Sequence, residues 1–248
     1  MALDWICGAV RLSLFSSPET AVSLSVGDWK RLSGGEEPQQ EQKGFGKLAF
    51  ASEISPGHQL SLLGFANRCD CTISPAATPE VPDDLPHIGR WSATLENFRE
   101  YVERFLVGVR FPVFRMALAP VLIARFEQKV DANKALLSLV KSIKQPHDKL
   151  NDILFRINWP VRSAVDGTLI NRVTTWSVGQ IRLQVIFADA GVASDVSGSY
   201  SLRLDIDHNT DSKRADPFDA TQVVPIFREL SKLASENADK GEIWSENS

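Results

Sequence analysis

Acidic residues that could do chemistry together cluster in one place, the stretch Ser199–Asp207 and the residues just after it. Side chains alternate there. Leu202, Leu204 and Ile206 fall on one face of an extended strand, and Arg203, Asp205 and Asp207 on the other. Asn209 and Asp211 continue that spacing into a polar segment. Asp205, Asp207 and Asp211 are therefore candidate ligands for a hard divalent cation such as Mg²⁺, the chemistry of a metal-dependent hydrolase or nuclease. A solvated strand face, with Arg203 neutralising Asp205, accounts for the same residues and is the preferred reading. A calcium-loop reading fails in detail. Thr210 stands where the loop needs glycine, Asp216 where it needs a bidentate glutamate, and a strand rather than a helix precedes it.

Other chemistry-bearing residues are sparser. Cys69 and Cys71 would share one strand face, but structural zinc wants four ligands and the remaining thiol is Cys7. His58, His87 and His147 sit beside proline or glycine, and His208 opens the polar segment. There is no nucleophile elbow, no His-Glu-x-x-His and no phosphate-binding glycine loop. No cofactor is called for.

Charge is uneven along the 248 residues, whose net charge is -4. Residues 125–182 hold ten Lys/Arg against five Asp/Glu; residues 183–248 hold six against twelve. Lys134, Lys141, Lys144, Arg162 and Arg172 are the candidate nucleic-acid contacts of the basic block, with Trp159 and Trp176 as stacking platforms. The negative total argues against autonomous nucleic-acid binding, so any such contact is expected only through a complex. Trp244, in the polar C-terminal tail, is a candidate anchor for a protein partner.

The elements that must position these residues are mostly strands. Ile6–Phe15 reads as a strand with Val10, Leu12 and Leu14 on one face, paired with 21–26 across a Ser-Ser-Pro-Glu turn. Residues 33–44 have nothing to bury and read as a loop. Strands are predicted over 48–54, 59–73, 111–126, 153–159, 170–178, 180–187 and 200–207, the last four as a meander. Helices are predicted from Ser92 or Thr94 through Val109, from Asp131 to Ile143, and from Asp219 or Thr221 through Ala234. The last carries Pro225 close to its first turn, where a missing N–H costs little. Strands outnumber helices and are not interleaved with them one for one, so the class is α+β with antiparallel sheets. No repeat of 20–50 residues is present.

Four prolines between Ser74 and Gly89 mark a linker or strap. The expected parts are a β-rich segment 1–74, the strap 75–90, an α+β part 91–236 and a polar tail 237–248. No apolar run reaches the roughly 18–20 residues of a membrane span. Three cysteines without a framework point to a reducing compartment, and residues 1–5 lack the basic start of a secretory signal. The expectation is a cytoplasmic protein with no membrane contact.

Phe111–Leu118 ahead of a helix, then a meander closing in Leu202-Arg203-Leu204-Asp205-Ile206-Asp207 before a C-terminal helix, resembles a sporadically distributed bacterial family of uncharacterised proteins. The match covers residues 111–236. Leu122-Ile123-Ala124-Arg125 departs from the aromatic-Ile-Asn-Arg of that family. The resemblance implies the architecture and a bacterial or phage origin, and brings no catalytic residues. Sporadic distribution suits mobile or defence-associated loci. The function expected is a non-catalytic accessory subunit with a protein partner encoded nearby.

Overall fold

The computed structural model describes residues 3–44, 47–77, 85–181, 183–186, 193–196 and 199–242. The chain opens with β1 (Ile6–Phe15), which buries Val10, Leu12 and Leu14 as its alternation predicts. The expected second strand over 21–26 does not form. Ser25 instead caps α1 (Val26–Ser33) through a reciprocal capping box with Asp28, and Gly34 ends the helix in a left-handed conformation at φ 86. Trp29 and Leu32 are the apolar residues α1 buries, and Asp28 is buried with them.

A meander follows: β2 (Gln40–Gly44), β3 (Lys47–Ser55), β4 (His58–Gly64) and β5 (Arg68–Pro75). β2 lies where a loop was expected. All five of its residues are exposed, so only its hydrogen bonds to β3 mark it as a strand. Then come α2 (Trp91–Leu106) and β6 (Arg115–Phe126). Pro120 lies inside β6, opposite Val10 of β1. Having no N–H, it interrupts the pairing of β6 with its other neighbour between Val121 and Leu118.

α3 (Lys129–Leu139) begins two residues before the expected cap, with Asp131 in its first turn. Next are β7 (Leu154–Asn158), β8 (Val161–Arg162) and β9 (Leu169–Gln180). Gly167 has φ 73 in the turn before β9, whereas Gly179 lies within β9 rather than in a turn. β10 (Leu183–Ile186) and β11 (Ala193–Val196) form a separate hairpin. β12 (Tyr200–Thr210) runs three residues beyond the expected end, because His208 and Thr210 are buried and still paired with β9. α4 (Ala220–Lys240) is capped by Asp219 in a second capping box, with Gln222. Pro225 is its sixth residue, past the first turn where its missing N–H would be harmless. α4 also continues past 236. Asn237, Ala238 and Glu242 are buried, and Trp5 Nε1 donates to the Ala238 carbonyl at 2.9 Å.

The architecture is the expected α+β class. One antiparallel sheet runs β2-β3-β4-β5-β1-β6-β12-β9-β7, with β8 also on β9. β1 is hydrogen-bonded to β5 on one side and β6 on the other, so strands from before and after the proline-rich segment share one sheet. The helices lie on a single face: α2 against β1, α1 and α4, α3 against β9 and β12, and α4 against β6 and β12. The apolar side chains between the layers form one core, crossed by Phe98 of α2 edge-on to Phe227 of α4 at 6.2 Å.

Residues 6–106 and 115–240 follow the same order: a strand, a helix, a meander whose last strand returns beside the first, and a second helix. β1 corresponds to β6, β5 to β12, β4 to β9, β3 to β7, α1 to α3 and α2 to α4. The topology thus has an internal two-fold through the β1–β6 pair. This unit is far longer than 20–50 residues.

Candidate functional site

The face of the sheet opposite the helices carries no helix among the described residues. Strand parity decides what stands on it. Ala9, Arg11 and Ser13 of β1 lie beside Thr72 and Asp70 of β5 on one flank and Ala117, Ala119 and Val121 of β6 on the other. Beyond β6 stand Asp205, Asp207 and Asn209 of β12. The centre is lined mostly by small side chains with the exposed Arg11 among them, and the carboxylates of Asp70 and Asp205 stand on either side of it. In the first half the face dips into a groove of about 240 Å3, lined among others by Gln40, Gln42, Ala51, Gln59 and Leu63.

Of the predicted acidic residues Asp205 and Asp207 are on this face, and all three are engaged. Arg203 holds Asp205 with Nε 3.0 and 2.8 Å from its two carboxylate oxygens and Nη2 2.8 Å from one of them. That hydrogen-bonded carboxylate raises the Arg203 pKa. Asp207 accepts from Asn209 Nδ2 at 3.1 Å. An amide ladder continues outward, from Asn171 Nδ2 to Asn209 Oδ1 at 3.3 Å and from Asn158 Nδ2 to Asn171 Oδ1 at 3.1 Å. Asp211 lies past the strand end and accepts from the Lys213 backbone at 3.0 Å. Among the described residues no three His, Cys, Asp or Glu side chains are grouped to hold a metal ion.

β5, the counterpart of β12, repeats the arginine–aspartate spacing on the same face: Arg68 Nη2 lies 3.2 Å from Asp70 Oδ2. Asp70 is buried and its Oδ1 has no hydrogen bond. Asp70 carries no signal of its own in the sequence, since it stands alone between Cys69 and Cys71 with no second carboxylate at strand spacing.

Cys69 and Cys71 do share a face, but it is the face turned to the helices, beside Leu14 and Leu12. Burial pushes the Cys69 thiol well up and that of Cys7 to about 12, the state of inert core thiols. His208, expected in a polar loop, is wholly buried on β12. Burial, and then the neighbouring Arg172 guanidinium, drive its pKa down to about 3, so it is neutral. Neither of its ring nitrogens has a hydrogen bond of good geometry.

The basic candidates are not brought together into one surface. Arg172 faces the helices, only 6% exposed, and donates to Asn237 Oδ1 at 2.9 Å. It is therefore not a surface phosphate contact. Parity with Ile170, Thr174 and Trp176 would have placed it inside. Lys134 pairs with Asp131 at 3.2 Å, Lys141 and Lys144 are exposed beyond the end of α3, and Arg162 donates to the Gly167 carbonyl at 3.2 Å. Trp176 is a buried core residue 6.3 Å from Trp5, not a stacking platform. Trp244 lies outside the described residues.

The fold and this face define a two-layer α+β protein with one layer of helices and an open antiparallel sheet. Comparison with protein-family models, curated proteins and solved structures yields no match. No helix of the described residues is long and apolar enough to cross a membrane.

Proposed function

We propose that the chain is a non-catalytic interaction protein, an accessory subunit that docks a protein partner encoded by a neighbouring gene on the helix-free face of its sheet. One observation carries this reading. Among the described residues Cys7, Cys69, Cys71 and His208 are dry core groups, and Asp205 and Asp70 are tied into ion pairs with arginines. A face that no described helix covers meanwhile crosses both halves of the sheet, exposing Arg11, Arg203 and Asp207 while Ser13, Asp70, Ala117 and Asn209 are buried within it. The resemblance over residues 111–236 supports a bacterial defence or mobile-element setting. A hydrolase centred on Asp205 and Asp207 finds no support, since Asp205 is occupied by Arg203. A nucleic-acid module loses Arg172 to the core.

The test is affinity capture from the native source with wild-type chain and with Ala119→Arg, which plants a long cation between Arg11 and Asp207. The expected result is a stoichiometric protein partner held by wild type and lost from the variant at unchanged melting temperature. Capture indifferent to Ala119→Arg, or Mg²⁺-dependent turnover abolished by Asp207→Asn, would overturn the reading.

A further inference from the structure

The internal two-fold carries β3 onto β7. In the first half one more strand, β2, covers the outer edge of β3, and the sheet ends in a ribbon of exposed polar residues with Lys43 paired to Glu41 at 2.7 Å. That is a blunted edge. In the second half the sheet stops at β7, and no described strand takes the place that β2 fills.

Antiparallel geometry fixes which groups are left over. Val178 N donates to Ile153 O, and Trp159 N donates to Arg172 O. The odd-numbered residues therefore make the bonds to β9. Leu154, Arg156 and Asn158 turn their N–H and C=O groups away from the sheet. Their side chains stand on the helix-free face, with Leu154 72% exposed. Phe155 and Ile157 are half-buried on the helix side. Arg156 is exposed and has no carboxylate partner among the described residues. The chain leading into β7 adds the exposed cations Lys141, Lys144 and Lys149, and Arg162 follows on β8.

We propose that β7 is a strand-docking edge, and that a partner protein adds to it an extended segment alternating acidic and apolar residues. This rests on the reading that the chain binds a protein, and it names the edge and the chemistry of the bound segment. Main-chain bonds to Leu154, Arg156 and Asn158 hold the segment. Its apolar residues continue the surface of Phe155 and Ile157, and its carboxylates meet Arg156. A second copy of the chain fits less well. Fully overlapped antiparallel pairing of β7 with itself sets Arg156 directly opposite Arg156, a repulsive cross-strand pair.

The probes are two labelled synthetic peptides, one alternating Val and Glu and the other Val and Lys, titrated against the full chain by fluorescence anisotropy. The Glu peptide is expected to bind at least about tenfold tighter than the Lys peptide. Arg156→Pro removes an outward N–H and a cation without touching a bond to β9, and should cost the Glu peptide about tenfold or more. Arg156→Glu keeps the N–H and should invert the preference between peptides. Melting curves of both variants check that the fold survives. Absence of Glu-peptide binding, or binding indifferent to Arg156→Pro, would overturn the proposal. So would a dimer in sedimentation that Arg156→Pro dissolves, since it would make a second copy the occupant. Native partner capture lost with Ala119→Arg yet kept with Arg156→Pro would remove this edge and leave the interaction reading standing.

Discussion

The two halves of the sheet share a topology but differ in what fills it and how it ends. Under the first half the core is mostly apolar, with no buried cation or imidazole among the described residues: Trp29 of α1 lies 6.3 Å from Phe50 of β3, the buried inward residues of β4 and β5 are leucine, glycine, isoleucine and cysteine, and Asp28, Ser52 and Thr94 are polar residues buried there. Under the second half Arg172, Thr174, His208 and Asn237 are buried beside Trp176 and Leu230. The first half closes its edge with charged β2, whereas the second leaves β7 open. One arrangement of backbone thus tolerates two solutions. An apolar core depends on volume alone, while a polar one depends on each partner staying in place.

This contrast can be broken at several points. The largest effect is expected at the seam. Phe98→Ala removes the edge-on contact with Phe227 that joins the helix layers of both halves, and should cost roughly 3–5 kcal/mol in urea denaturation. The transition should stay single; one half unfolding before the other would contradict a shared core.

Next is acid sensitivity seated in the second half. His208 has a folded pKa of about 3, below its ordinary value of 6.5. Between those values the unfolded chain takes up a proton that the folded chain refuses, so stability falls as pH drops from 6.5 toward 3. At about 1.4 kcal/mol per pH unit, the loss between pH 7 and pH 4 is about 3 kcal/mol. His208→Leu should flatten that limb, and an equally steep one in the variant would assign the acid response to other groups.

Asn237→Ala, which leaves the buried Arg172 guanidinium short of an acceptor, should cost about 1–3 kcal/mol by thermal melting. On the helix-free face effects should be small. Asp205→Asn breaks a half-exposed pair worth at most about 1 kcal/mol. EDTA should leave the wild-type melting temperature where it is, and a large drop would restore a metal to the acidic strand.

What could be read from the sequence follows what burial leaves behind in it. β1 was legible because Val10, Leu12 and Leu14 alternate, and the start of α4 because Asp219 precedes an apolar stripe. α1 was hidden because Val22, Leu24 and Val26 also alternate, and the Ser25–Asp28 capping box overrode them. β2 buries nothing and so has no pattern. His208 and Thr210 look like loop residues and end up in the core, because only the tertiary structure brings α4 over the end of β12. Asn237 looks like the start of a frayed tail for the same reason. The Arg203–Asp205 pair was legible from its spacing. The helix-free face was not, since the order in which strands pair, and hence what Ala119 lies next to, is set by contacts distant in sequence. Arg172 carried an inward parity that its charge obscured.

The most direct test of the account is carboxylate footprinting of the full chain, free and in complex with its captured partner. The helix-free face predicts that Asp207 reacts in the free protein and is shielded in the complex. Glu96 and Glu100 on the outer surface of α2 should react equally in both. Shielding of Glu96 and Glu100 with Asp207 unchanged would place the partner on the helix layer and contradict the central claim.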